Sequence, residues 1–167
     1  DMGPFATSFA FVVGVDMYGD GIPSLRNACN DALAIANILE DRHDYAIKAQ
    51  LVNGAATRDS LQAEISNLHD ELTQRDRLLF YFAGHGVSLN GVEGPNGYIL
   101  LSDAIRDDEQ SFFLMSDLNE SLRSLPCRHL LVVLDCCFAG AMGWSSLRHV
   151  GTQTEQLTRE LYARYTE

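Results

Sequence analysis

The sequence predicts an α/β fold in which a mainly parallel sheet is flanked by helices on both faces. Three observations lead to this prediction. Short apolar runs typical of strands buried on both faces recur along the chain, as in residues 8–15, 78–82 and 129–134. Segments with apolar residues at helical spacing separate these runs. Glycine-containing turns follow the runs, and strands that alternate with helices are typical of parallel sheets.

The first part of the chain contains two predicted strands and one predicted helix. Residues 8–15 form a buried strand, and a loop marked by glycine and proline follows over residues 16–23. Residues 49–52 form a short second strand. Between them, residues 27–40 have the apolar stripe of a helix, which consists of Ala28, Ala32, Ile35 and Leu39.

A second helix and two more strands are predicted next. Thr57 is expected to cap the helix, because a threonine hydroxyl accepts hydrogen bonds from the free N–H groups of a first turn. The apolar stripe of this helix consists of Leu61, Ile65, Leu68 and Leu72. Residues 78–82 form a strand, and a glycine-rich loop over residues 90–97 leads to a predicted strand over residues 97–101.

The last periodic elements are a helix and a strand. The helix is predicted near residues 116–124 with Ser116 as its N-cap, and the strand covers residues 129–134. After Gly140 the alternation of strand-like and helical patterns weakens. Residues 141–151 are predicted to form a loop and residues 154–165 a short, charged helix.

The composition excludes several classes of function. The chain has 167 residues, a length typical of one domain, and a net charge of −11, which makes nucleic acid an unsuitable partner. No apolar run approaches a membrane span and no secretory signal is visible, so we expect a cytoplasmic protein without membrane contact. Four cysteines, with no CxxC or HExxH motif, predict neither a disulfide framework nor a metal site.

Two short motifs place reactive side chains at the ends of predicted strands. Residues 82–86 read Phe-Ala-Gly-His-Gly, and residues 134–140 read Leu-Asp-Cys-Cys-Phe-Ala-Gly. Sites in open parallel sheets are built at the carboxyl ends of the strands, so His85 can lie beside a cysteine as base and nucleophile. Alone, each motif also fits an ordinary turn histidine or a buried cysteine pair. Together they favour a cysteine hydrolase.

Three motifs in order resemble those of the caspase-like cysteine peptidases, and specifically the metacaspases and their bacterial relatives. Residues 25–32, Leu-Arg-Asn-Ala-Cys-Asn-Asp-Ala, are similar to the family's first-helix block, which ends in Asn-Asp-Ala. Residues 82–86 are similar to its Gly-His-Gly block, and residues 135–140 to its Asp-x-Cys-x-x-Gly block. The resemblance implies a caspase-like α/β/α sandwich.

The resemblance also implies the residues of a catalytic centre. Cys137, rather than Cys136, aligns with the nucleophile, and His85 aligns with the general acid–base. The backbone N–H groups of Gly86 and Cys137 are expected to form the oxyanion hole, which stabilises the charge that develops during acyl transfer.

The resemblance assigns two acidic residues to substrate binding. Asp31 and Asp135 align with the carboxylates of the pocket that holds the side chain before the scissile bond. Two carboxylates suit a basic side chain, so cleavage of proteins or peptides after Arg or Lys is implied. From the residues alone, Asp31 also fits a helix-surface acid, and Asp135 fits the cap of a following helix.

The chain departs from the metacaspase pattern in two places. Phe138 and Ala139 stand where His-Ser is common, and neither is needed for nucleophilic attack. Ala83 stands where serine is frequent, which removes one polar contact from the expected pocket. Several metacaspases use calcium through an aspartate cluster. The acidic loop of this chain does not align with that cluster and is expected to be a solvated charge run, so no cofactor is expected; the loop contains Asp103, Asp107, Asp108 and Glu109.

The family's catalytic unit continues beyond the cysteine into a smaller segment that completes the sheet and the pocket. We therefore assign residues 1–145 to a large-subunit-like catalytic domain and residues 146–167 to a linker or short helix that leads to a small-subunit segment or chain. The leading interpretation is the effector module of a larger, regulated bacterial protein. Two alternatives stay open: a catalytically idle caspase-fold interaction module, and a different acyl-transfer enzyme on the same layout.

Overall fold

The structure, a computed structural model, describes residues 5–19, 21–91 and 94–137. Three α-helices lie in this part of the chain: α1 (Ala28–His43), α2 (Arg58–Glu71) and α3 (Met115–Arg123). The same residues form seven strands: β1 (Ser8–Gly14), β2 (Tyr45–Val52), β3 (Arg77–Ala83), β4 (Gly86–Gly91), β5 (Gly94–Ile99), β6 (Phe113–Leu114) and β7 (His129–Asp135).

Four strands form the central sheet in the order β2-β1-β3-β7, and every neighbouring pair is parallel. The two inner strands, β1 and β3, are the apolar runs that the sequence shows most clearly, because strands covered on both faces need apolar side chains throughout. The predicted α/β fold with a mainly parallel sheet is confirmed.

Side chains of the inner strands alternate between two apolar cores, one on each face of the sheet. Phe11 and Phe80 lie on the face covered by α2 and α3, with ring centroids 5.3 Å apart in an edge-to-face arrangement. Val12 and Tyr81 lie on the opposite face, where α1 packs through Ala32. The sheet therefore has helices on both faces, as the sequence predicts.

The sequence does not predict the second sheet, in which β4, β5 and β6 pair antiparallel. The loop expected over residues 90–97 and the strand expected over residues 97–101 are wrong in their bounds, because β5 spans Gly94–Ile99 and pairs with β4. Short hairpin strands rich in glycine and asparagine lack the long apolar run of a buried strand. The hairpin matters for the site, because it begins directly after His85.

Of the two N-caps predicted for α2 and α3, one is confirmed and one is wrong. The Thr57 side chain accepts a hydrogen bond from the Ser60 N–H at 3.2 Å, which confirms the predicted N-cap of α2. Ser116 is not the cap of α3, which begins at Met115 without a side-chain cap. Met115 is fully buried, so packing of the first residue against the core sets this helix start.

The carboxyl ends of β1, β3 and β7 lie at the same edge of the parallel sheet, since the register runs without interruption from β1 through β3 to β7. None of the helices in the described part of the chain is long and apolar enough to cross a membrane. The segments predicted over residues 141–151, 146–167 and 154–165 lie outside the described residues.

Candidate active site

The strand ends that follow the two sequence motifs are paired. Ala83 and Asp135 are register partners at the ends of β3 and β7, and the Gly84 N–H donates a hydrogen bond to the Asp135 carbonyl at 3.3 Å. His85 and Cys137 each lie two residues beyond this pair. The parallel sheet therefore brings both candidate catalytic residues to one edge of the molecule.

The two glycines of the histidine motif permit close contacts that a side chain would prevent. A Cβ atom on Gly86 would lie 2.1 Å from the Cys137 carbonyl oxygen. A Cβ atom on Gly84 would lie 2.8 Å from the Tyr18 hydroxyl oxygen. The backbone of Gly86 therefore lies directly against the backbone of Cys137. Gly86 and Cys137 are the two residues expected to form an oxyanion hole.

The His85 ring has a defined tautomer because of one backbone contact. Its Nε2 atom lies 2.7 Å from the Pro23 carbonyl oxygen. A carbonyl oxygen only accepts hydrogen bonds, so Nε2 carries the proton and donates it to Pro23. In the neutral ring this leaves the lone pair on Nδ1, which is then the atom that can accept a proton from a thiol.

Tyr18 contacts His85 through both its hydroxyl and its ring. The Tyr18 hydroxyl accepts a hydrogen bond from the His85 backbone N–H at 2.9 Å and donates one to the Val15 carbonyl at 3.1 Å. The two rings lie 4.9 Å apart between centroids. Burial raises the pKa of the Tyr18 hydroxyl well above its ordinary value, so the hydroxyl stays protonated and keeps both hydrogen bonds at neutral pH.

The loop that carries Tyr18 and Pro23 is anchored at both of its ends. The Asp16 carboxylate accepts hydrogen bonds from the N–H groups of the first two residues of α1, at 2.8 and 3.2 Å. These bonds take the place of a side-chain cap on α1. The Asn53 side-chain oxygen accepts from the Asp16 N–H at 2.9 Å. The groups that orient His85 are thus fixed to α1 and to the segment after β2.

The adjacent cysteines differ in environment, because neighbouring residues at a strand end face opposite ways. Cys136 is half-buried and packs against the core on the α2 and α3 face. Burial, followed by the charges of Cys137 and Asp135, raises the pKa of Cys136 to about 12. Cys137 is exposed. Since the thiolate is the nucleophile, a thiol held neutral by burial is the poorer candidate, which favours Cys137.

Asp31 and Asp135 lie close to a common group, the Tyr81 hydroxyl. Tyr81 donates a hydrogen bond to Asp135 Oδ2 at 3.1 Å. Burial raises the pKa of Tyr81, and the hydrogen bond to Asp135 and the charges of Asp135 and Asp31 raise it further. The structure therefore brings the two aspartates of the predicted pocket together, one from the first turn of α1 and one from the end of β7.

The four acidic residues of the loop are exposed, as expected of a solvated charge run, and three of them also accept local hydrogen bonds within the described residues. The Asp103 carboxylate accepts from the Arg58 N–H at the start of α2. Asp108 accepts from the Gln110 N–H, and Glu109 accepts from the Tyr98 hydroxyl. No group of three or more metal-ligating side chains is found in the described segments.

Three residues of the candidate site have no recognisable signal in the sequence. Tyr18 and Pro23 lie in a loop that composition identifies only as a turn region, 67 and 62 residues before His85. Tyr81 is one aromatic residue in an apolar strand, and nothing in its neighbourhood along the chain indicates a polar partner. Each is recognised as part of the candidate site only in the folded chain, where segments distant in sequence lie together.

Comparisons with known proteins agree with this geometry. The family model described as the caspase domain, a family of cysteine peptidases, matches residues 7–162. A crystal structure of a protein from Geobacter sulfurreducens superposes with a TM-score of 0.65 at 20% sequence identity, and the match covers 96% of this chain and 65% of that chain. That likeness shows a shared fold. No curated protein matches the chain at a significant level. The match of the family model over most of the sequence shows that the chain belongs to the caspase-domain family.

Proposed function

We propose that this caspase-domain chain is a cysteine endopeptidase that cleaves proteins after Arg or Lys with a Cys137–His85 dyad. The observation that carries the proposal is the His85 ring, which donates Nε2–H to the Pro23 carbonyl and so keeps the lone pair on Nδ1, at the same sheet edge as the exposed Cys137. A base with a fixed tautomer and an accessible thiol at one sheet edge are the groups that nucleophilic catalysis requires.

The proposed reaction uses these atoms in two steps. His85 Nδ1 removes the Cys137 thiol proton, and Sγ forms a bond to the scissile carbonyl carbon. The N–H groups of Gly86 and Cys137 stabilise the oxyanion. The C–N bond then breaks as the His85 imidazolium returns its proton to the leaving amine. In the second step His85 deprotonates water, whose oxygen forms a bond to the acyl carbon. The C–S bond then breaks, the His85 imidazolium returns its proton to Sγ, and the carboxylic acid leaves with the Cys137 thiol restored.

The proposed preference for basic substrates is supported by the charge of the aspartate pair. Among the described residues, no Lys or Arg forms a salt bridge with Asp31 or Asp135. Tyr81 adds a hydrogen bond and no charge, because its pKa is raised and the hydroxyl stays neutral. Two carboxylates that no Lys or Arg of the described residues pairs with can attract a guanidinium or ammonium group through charge-assisted hydrogen bonds.

We further propose that a small-subunit segment or chain covers the free side of β7. In the described part of the chain β7 pairs with β3 alone. Leu131 and Val133 are 54% and 37% exposed on its surface, although both are apolar. An edge strand with apolar side chains in water is a surface that proteins normally cover. This supports the expectation that the module works within a larger, regulated protein.

A peptide series tests the proposed function. The peptides differ only in the residue before the scissile bond, which is Arg, Lys, Gln or Asp, and the Cys137→Ala variant gives the background. We expect cleavage after Arg and Lys that is absent from the variant. Cleavage after Asp would contradict the assignment of the pocket. Failure to cleave any peptide, with thiol labelling indifferent to His85, would instead identify an idle interaction module.

A further inference from the structure

Tyr81 is a buried residue of the candidate site whose only polar atom lies at the aspartate pair. Its side chain is 6% exposed and packs in the core between the parallel sheet and α1. Its hydroxyl donates to Asp135 Oδ2 at 3.1 Å. A buried hydroxyl needs a partner, and here that partner is a residue expected to bind substrate.

The register of the sheet explains how Tyr81 reaches Asp135. Asp135 stands directly opposite Ala83, and Tyr81 lies two residues earlier on the same face of β3. A diagonal neighbour on an adjacent strand is within reach of a long aromatic side chain. Ala83 is buried and its methyl group has no hydrogen-bond donor. The donor to Asp135 is therefore supplied by Tyr81, two residues earlier on the same face of β3.

The hydroxyl orients Asp135 without neutralising it. The Tyr81 pKa lies above its ordinary value because of burial, the bond to Asp135 and the nearby charge of Asp31. The group is therefore an O–H donor throughout the neutral range. The hydroxyl donates to one lone pair of Asp135 Oδ2 and does not use Oδ1, which can accept a hydrogen bond from a ligand. Both carboxylate charges remain available to a basic side chain.

We propose that Tyr81 is the positioning residue for substrate selection: its hydroxyl holds the Asp135 carboxylate in the orientation that receives an Arg or Lys side chain. This inference rests on the proposed function. It predicts that the hydroxyl affects substrate binding and leaves the reactivity of the thiol unchanged, because Tyr81 contacts Asp135 and neither His85 nor Cys137 takes part in that hydrogen bond.

The test is Tyr81→Phe, with Tyr98→Phe as a matched control. Both tyrosines are 6% exposed, and both hydroxyls donate to a carboxylate, which is Glu109 for Tyr98. We expect KM for the Arg peptide to rise about tenfold or more in Tyr81→Phe, with kcat within twofold. The Arg-over-Gln preference should fall by the same factor. Alkylation of Cys137 by iodoacetamide should keep its rate, and Tyr98→Phe should match the wild type in all three measurements.

Two results would overturn the inference while leaving the proposed function intact. One is a wild-type preference for Arg that Tyr81→Phe retains within twofold. The other is a loss of cleavage activity in Tyr81→Phe that is not specific: one that is equal for the Arg and Gln peptides, or one that Tyr98→Phe shows to the same extent. Either pattern indicates general damage to the fold. A wild type without any preference for basic residues would contradict both the inference and the proposed pocket, and the peptide series identifies that case before any Tyr81 variant is made.

Discussion

The strand end that carries His85 and the strand end that carries Cys137 are supported very differently. β3 has a hydrogen-bonded neighbour on each side, and its residues from Leu78 to Ala83 are all buried. In the described part of the chain, β7 pairs on one side only, and its residues alternate between half-buried and exposed. The proposed general base thus follows a buried inner strand of the sheet, whereas the proposed nucleophile follows a strand that has one neighbour in the described part of the chain.

The same contrast extends to the side chains. The His85 ring is held by the Pro23 carbonyl and contacts the tilted ring of Tyr18, and both contacts come from a loop that Asp16 and Asn53 anchor. The neighbourhood of Cys137 depends instead on β7, which has a strand partner on one side only among the described residues. The comparison teaches that His85 is positioned by the folded core. We therefore expect truncation of a core side chain in β3 to lower the free energy of unfolding more than the same truncation in β7.

The largest expected effect separates the two adjacent cysteines. Cys137→Ala should reduce peptide cleavage by more than about a thousandfold, because no acyl-enzyme forms without the nucleophile. Cys136→Ala should retain most of the activity, since its buried thiol is held neutral by a pKa of about 12. Initial rates on an Arg peptide measure both. An active Cys137→Ala together with an inactive Cys136→Ala would show that the motif register is wrong by one residue.

His85→Ala should lower kcat by about a hundredfold to ten-thousandfold, which is the usual contribution of a general acid–base. His69→Ala is the matched control, because His69 is an exposed histidine in the last turn of α2. The melting temperature of both variants should stay near that of the wild type, since His85 adds little to either core. If kcat is unchanged in His85→Ala, another group is the base.

Asp31→Asn should raise KM for an Arg peptide by about thirtyfold, corresponding to about 2 kcal/mol for the loss of one partner of a close charge pair. The rate of Cys137 alkylation by iodoacetamide should not change, because the neutral reagent does not use the pocket. Glu40→Gln, an exposed acidic residue on the same helix, controls for the loss of one negative charge. Equal effects of the two variants would assign the loss to long-range electrostatics.

Tyr18→Phe should lower kcat by about threefold to tenfold, the equivalent of about one hydrogen bond. The ring contact with His85 is preserved, whereas the two hydrogen bonds of the hydroxyl, with the His85 N–H and the Val15 carbonyl, are lost. Unlike Tyr81→Phe, this variant should also slow Cys137 alkylation, because Tyr18 acts through the base. Alkylation at the wild-type rate would show that the Tyr18 hydroxyl does not help to position His85.

The smallest expected effect tests the contrast between the two strands. Leu79 and Leu131 are register partners, but Leu79 is 8% exposed and Leu131 is 54% exposed. Leu79→Ala should lower the free energy of unfolding by about 2–4 kcal/mol, and Leu131→Ala by less than about 1 kcal/mol. Urea denaturation measures both. Equal losses would mean that the outer face of β7 is covered in solution.

The parts of the fold that sequence predicts are those governed by local patterns. The apolar runs of β1, β3 and β7 and the Thr57 cap are visible because apolar strands and helix caps leave residue-level signals. The β4–β5 hairpin has no such signal, since its short strands are rich in glycine and asparagine. The start of α3 depends on the burial of Met115, which is a property of the assembled core.

The candidate site divides in the same way. His85, Cys137, Asp31 and Asp135 are predicted from motifs that resemble those of the caspase-like family. The residues that orient them, Tyr18, Pro23 and Tyr81, act through single hydrogen bonds between segments that are distant in sequence. A backbone carbonyl such as that of Pro23 has no sequence preference at all, so only the folded chain identifies it.

Covalent trapping is the most direct test of the central claim, which is that His85 activates Cys137 beside a pocket for basic side chains. The protein is incubated with a peptidyl-arginyl chloromethyl ketone, and the modified residue is located by peptide mass mapping. We expect one adduct, on Cys137, that forms at least a hundredfold more slowly in His85→Ala and more slowly with a neutral glutaminyl analogue. An adduct on Cys136, or labelling that is independent of both His85 and the arginyl group, would contradict the account.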